Sequence, residues 1–139
     1  MIDVKDLMCG NWLYNNVLGH AYKLGNIPHW LREEEHDPIP VTVDMLKRIG
    51  FEEHKGICPK TFYRYWDKEY RYKLDVDPDF CNSDRKFSIH IDNGDCNTIG
   101  CGEFTYVHEL QNLVRCISGY SLPITKEMLY GNTDKDALA

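Results

Sequence analysis

The chain has 139 residues, 42% of them hydrophobic and 12% aromatic, which is enough to bury a core and too apolar for global disorder. Sixteen Lys and Arg against 22 Asp and Glu leave a formal net charge of −6, which opposes non-specific binding to the phosphates of nucleic acid. No apolar run has the length of a signal peptide or a membrane span, so the expectation is a soluble cytoplasmic protein whose six cysteines are reduced thiols.

In chain order, Asp6 to Tyr14 reads as a turn into a short strand, with Trp12 and Tyr14 on one face by the two-residue period. Asn15, Asn16 and Gly19 are turn formers, and Ala21 to Leu24 returns as the partner strand of an N-terminal hairpin. Gly25 to Pro40 reads as a loop, with Glu33, Glu34 and Glu35 solvated and Trp30 and Leu31 folding back as an anchor. Thr42 to Ile49 is a short helix: Thr42 is the N-cap, Asp44 suits the first turn, Lys47 and Arg48 the last, and Gly50 ends it.

Thr61 to Val76 alternates as two antiparallel strands turning at Asp67-Lys68. That turn sets Tyr65 opposite Tyr70 and Tyr63 opposite Tyr72, a tyrosine ladder continued by Leu74. The other face carries Phe62, Arg64, Trp66, Glu69, Arg71 and Lys73. It also sets Arg64 opposite Arg71, which requires an anion between them or a slipped register. Phe87 to Asp92 alternates cleanly, with Phe87, Ile89 and Ile91 inward and Ser88, His90 and Asp92 outward. Asn93-Gly94 favours a tight hairpin turn into a strand through Cys96 to Ile99, and Gly100 to Gly102 marks a bulge.

Tyr106 to Gly119 is the clearest helix. Val107, Leu110, Leu113, Val114 and Ile117 form one apolar stripe, with Thr105 as N-cap, Glu109 in the first turn and Gly119 as the left-handed stop. Residues 123–139 read as a polar tail with room for a short helix, because Pro123 to Leu129 repeats the helix-start chemistry of Pro40 to Leu46. The expected fold is a single α+β domain over residues 1–122. Its antiparallel sheet has about five or six strands, with the C-terminal helix packed on one face and one short capped helix.

Chemistry-bearing residues fall into three groups. His90, His108 and Glu109 are the candidates for a small hydrolase, but His108-Glu-Leu-Gln-Asn112 lacks the second ligand of a metalloprotease helix. The expected role of His108, Glu109, Gln111 and Asn112 is therefore structural, and no catalytic residue is assigned. Cys96 and Cys101, with Cys81 and His90, are spaced more widely than zinc knuckles, so neither a metal nor a cofactor is assigned. No phosphate-binding glycine loop, dinucleotide fingerprint or nucleophile elbow is present. The third group is Arg64, Trp66, Arg71 and Lys73. Residues 60–73 hold five basic and two acidic side chains in an otherwise acidic chain. An aromatic–basic face of that kind is a contact surface for a protein partner or, against the net charge, for nucleic acid.

Three stretches occur together: Asp6-Leu-x-x-Gly-Asn-Trp-x-Tyr14, Pro38-Ile-Pro-x-Thr-x-x-x-Leu-x-x-Ile-Gly-Phe51 and Tyr106-Val-His-Glu-Leu-Gln-Asn-Leu113. In this order they resemble a family of short proteins without an established activity, encoded in prophages and mobile elements of gut-type anaerobic bacteria. The resemblance covers roughly residues 3 to 122, and the third stretch is its most specific part. Aromatic residues usually follow that stretch in the family, whereas Val114-Arg115-Cys116 follow it here. The resemblance implies a phage or mobile-element context and the fold but no mechanism, and the expected function is a non-enzymatic accessory protein acting by protein contact.

Overall fold

The computed structural model describes residues 2–25, 31–55, 61–67, 72–78, 87–92, 98–119 and 121–130. It is an α+β protein whose chain divides into two compact units, Met1–Met45 with Tyr106–Ala139, and Leu46–Thr105. Strands form two antiparallel sheets, of three and of five strands, rather than one sheet of about five or six.

The first unit contains the N-terminal hairpin, β1 (Trp12–Asn15) and β2 (His20–Lys23), paired from Trp12↔Lys23 to Asn15↔His20. The Asn15 side-chain oxygen builds the turn by accepting the Val17 and Leu18 N–H groups at 3.0 and 2.9 Å, and Gly19 takes a φ of 78°. Against the other edge of β1 lies β3 (His36–Asp37), a two-residue strand where the sequence suggested only loop. Hydrogen bonds hold it there: Asn16 N–H donates to the Glu35 carbonyl and Ile2 N–H to that of His36, each at 3.0 Å. Ile2, Leu7, Leu13 and Leu24 form a buried cluster, and the expected anchor residue Leu31 packs against it. Trp30 lies outside the described residues.

The short helix α1 (Val43–Ile49) has the predicted caps. Met45 N–H donates to Thr42 Oγ1 at 3.2 Å, and the Gly50 and Phe51 N–H groups close the last turn on the carbonyls of Lys47 and Leu46. The main helix α2 (Val107–Ser118) starts one residue later than its sequence suggested: Tyr106, not Thr105, is the N-cap. Glu109 makes the difference, because its carboxylate accepts the Tyr106 N–H at 3.1 Å. The Val107 N–H also donates to the Ile39 carbonyl at 2.8 Å, which pins the first turn. Val107, His108, Leu110 and Val114 are buried, while Leu113 and Ile117 at the edge of the stripe are half-buried. Gly119 ends the helix at φ 78°. A third helix, α3 (Lys126–Tyr130), follows, seated by buried Leu122, Ile124 and Leu129. Its start repeats α1: Met128 N–H donates to Thr125 Oγ1 at 3.4 Å, as Met45 does to Thr42.

The second unit is a meander in sequence order: β4 (Glu52–Lys55), β5 (Thr61–Asp67), β6 (Tyr72–Asp77), β7 (Phe87–Asp92) and β8 (Thr98–Phe104). The β5–β6 register corrects the sequence expectation by four residues. Tyr63 pairs with Val76, Arg64 with Asp75, Tyr65 with Leu74 and Trp66 with Lys73, so no four-tyrosine ladder forms and Arg64 does not meet Arg71. The physical reason is charge: the slip exchanges an arginine–arginine pair for an arginine–aspartate pair. Because four is even, Tyr63, Arg64, Tyr65, Trp66, Lys73 and Leu74 keep their predicted faces. Leu74, Val76, Phe87, Ile89 and Phe104 are buried, with the Phe87 and Phe104 rings stacked at 5.3 Å. The expected bulge falls between Ile89↔Gly102 and His90↔Gly100. Cys96 and the Asn93-Gly94 turn lie outside the described residues. Among the described residues, no helix is long and apolar enough to cross a membrane.

Candidate functional site

Alternation along β5 and β6 sends Arg64, Trp66, Lys73 and Asp75 to the face opposite Leu74 and Val76. Edge strand β4 adds to it, because Glu52 pairs with Arg64 and His54 with Phe62. Together they line a groove of about 310 Å³ formed by Gly50, Glu52, His54, Arg64, Trp66 and Lys73. Three of the four residues expected to make a contact surface are thus brought together, and the fourth, Arg71, lies outside the described residues.

Trp66 is 57% exposed, a large value for so apolar a side chain. The Lys73 ammonium sits over its ring, 5.2 Å from the centroid, so the indole is held without being covered. Arg64 is held from two sides. Its Nε and one terminal nitrogen donate to the Asp75 carboxylate at 2.7 and 2.9 Å, and its guanidinium lies 5.2 Å from the centroid of Phe62. The His54 ring stacks on Phe62 at 5.4 Å, and its Nε2 is 3.8 Å from a Glu52 oxygen. Asp75 thus neutralises Arg64 from beside the groove, and Glu52 shares the groove with Arg64 and Lys73. The sequence reading found the basic members and missed Glu52 and His54. Glu52-Glu-His-Lys55 has no apolar alternation to announce a strand; its one signal is its position between the helix stop at Gly50 and the next strand.

The residues expected to be structural in α2 are engaged within the first unit. Gln111 Oε1 accepts the Trp12 N–H at 2.9 Å while its Nε2 donates to the Gly10 carbonyl at 3.0 Å. Asn112 accepts from Asn11 Nδ2 at 2.9 Å and donates to the Asp6 carbonyl at 2.7 Å. His108 is buried, its ring stacked 6.1 Å from that of Tyr106. His90 belongs to the second unit, where its Nε2 lies 3.1 Å from Ser88 Oγ. Among the described residues, no group of three or more His, Cys, Asp or Glu side chains is arranged to hold a metal. Cys81, Cys96 and the Cys101 side chain lie outside them.

The groove thus offers an exposed indole, two fixed cations, a carboxylate and an imidazole, all on strands. That is the equipment of a recognition surface: an apolar anchor with a polar rim. No family model, no curated protein and no solved structure matches the chain.

Proposed function

We propose that the protein is a non-enzymatic accessory protein, of a phage or mobile element, that acts by binding another protein through the Trp66 groove. The observation that carries this reading is an exposed, cation-braced Trp66 in a groove whose other side chains, Glu52, His54, Arg64 and Lys73, are polar. An exposed tryptophan in a shaped depression is the residue type that most often anchors a protein interface. Its polar surround discourages non-specific association.

Nucleic acid is the second reading, favoured by the arginine and lysine beside the indole. Two features weigh against it. Arg64 is already neutralised by Asp75, and Lys73 occupies ring surface on which a base would stack. One pair of measurements separates the readings. Affinity capture from a bacterial host lysate is run with the unaltered chain and with Trp66→Ser, and single-stranded RNA and DNA binding is followed at low and high salt. The expected result is a protein partner lost with Trp66→Ser, a cost of about 2 kcal/mol or roughly 30-fold in affinity. Its melting temperature should stay unchanged, and oligonucleotides should not bind. Oligonucleotide binding that falls steeply with salt would establish the second reading instead.

A further inference from the structure

The first unit contains a separate pocket of about 70 Å³, lined by β1, β2, the middle of α2 and residues 121–124. Several of its acceptors are already engaged. The Gly10 carbonyl takes the Gln111 amide at 3.0 Å, the Cys9 carbonyl takes Arg115 at 3.5 Å, and the Ile124 carbonyl takes the Trp12 indole N–H at 3.2 Å. The side-chain oxygens of Gln111 and Asn112 accept from Trp12 and Asn11. What remains on the wall is donor capacity: the Lys23 ammonium, the other N–H groups of Arg115 and the Ser121 hydroxyl. Among the described residues no carboxylate lines the pocket, and the ion pairs Arg32–Glu35, His54–Glu52 and Arg64–Asp75 involve neither Lys23 nor Arg115. Lys23 and Arg115 therefore share the wall of one small concavity that has no carboxylate among its described lining residues. The volume is far below the roughly 300 Å³ at which drug-sized ligand sites begin, and suits a single small oxyanion.

We propose that this pocket binds a phosphate group, held by Lys23, Arg115 and Ser121. An arginine fork and an ammonium are the donors that phosphate oxygens select, through charge-assisted hydrogen bonds. The walls that carry them are fixed by the Gln111 and Asn112 straps, so the site needs little ordering on binding.

The test is calorimetric titration of the full chain with inorganic phosphate and, separately, with glycerol phosphate, each against sodium chloride at matched ionic strength. Saturable binding is expected with phosphate and not with chloride. Binding of the monoester as well would identify the phosphate group of a larger molecule as the ligand, and its exclusion would identify free phosphate. Lys23→Gln and Arg115→Gln should each weaken binding about 10-fold, Lys23→Arg should keep it, and Lys47→Gln in the other unit should leave phosphate binding unchanged. Amide NMR of the unaltered chain provides a check independent of any variant, with shifts expected at Gly10, Lys23, Arg115 and Ser121. Equal affinities across the variants, equal effects of chloride, or shifts confined to other residues would overturn the proposal.

Discussion

Gln111 does in this protein what a neighbouring peptide group does in a sheet. Its carboxamide accepts from Trp12 N–H at 2.9 Å and donates to the Gly10 carbonyl at 3.0 Å, so a helix side chain satisfies both backbone groups at the start of β1. Asn112 repeats the arrangement one residue on, reaching Asn11 and the Asp6 carbonyl. Each carboxamide thus engages one donor and one acceptor from the segment that leads into β1. Gln111→Ala removes both partners and leaves a part-buried donor and acceptor unmatched. The expected loss is about 1–3 kcal/mol of folding stability in urea unfolding, with Gln111→Glu intermediate because it keeps the acceptor and loses the donor. A loss below about 0.5 kcal/mol for the alanine variant would show that water replaces the strap at no cost. The bulky neighbour His108 belongs to the same architecture: it is buried and stacked on Tyr106.

At the scale of the elements, the sequence was most informative where the signals are local. Thr42, Gly50 and Gly119 cap helices as their residue types require, and Asn15 and Gly19 make the first turn. Pairing between strands is not local, and there the reading failed: the β5–β6 register is four residues away, and β4 carried no apolar pattern at all. The candidate groove was half legible for the same reason. Alternation alone put Arg64, Trp66 and Lys73 on one face, but Glu52 and His54 reach it only through a pairing that sequence spacing cannot supply. If the Arg64–Asp75 bond fixes that register, the two residues must be coupled. Both side chains are mostly buried, 23% and 13% exposed, so removing one leaves the other poorly solvated. Arg64→Met and Asp75→Leu are each expected to destabilise by about 1–3 kcal/mol, and the double variant by less than the sum, with a coupling energy of about 1–2 kcal/mol. A double-mutant cycle by chemical denaturation measures it, and strict additivity would show that side-chain packing alone sets the register.

For the molecule as a whole, the response to alkali follows from two tyrosines of the first unit. Burial raises the Tyr22 hydroxyl above its usual 10.0, and its ring lies 5.6 Å from that of His36. Tyr130 on α3 is raised first by burial and then by the nearby Tyr14 hydroxyl, whose ionised form repels a second phenolate. In the unfolded chain both ionise near pH 10, while in the folded chain they hold their protons longer. Between the two values the folded state binds more protons, so stability must fall as pH rises. Their contribution is fully present below about pH 10 and is lost as pH climbs through the raised folded values. The background works in the same direction, because a chain that already carries −6 at pH 7 gains further negative charge as its nine tyrosines ionise. Urea midpoints measured from neutral pH into the alkaline range should therefore stay level up to the ordinary tyrosine onset near pH 10 and decline above it. Tyr22→Phe and Tyr130→Phe should each make that decline shallower, since a phenyl ring has no proton to lose. If both variants decline in parallel with the unaltered chain, the alkaline loss belongs to overall charge repulsion and not to these two half-buried tyrosines.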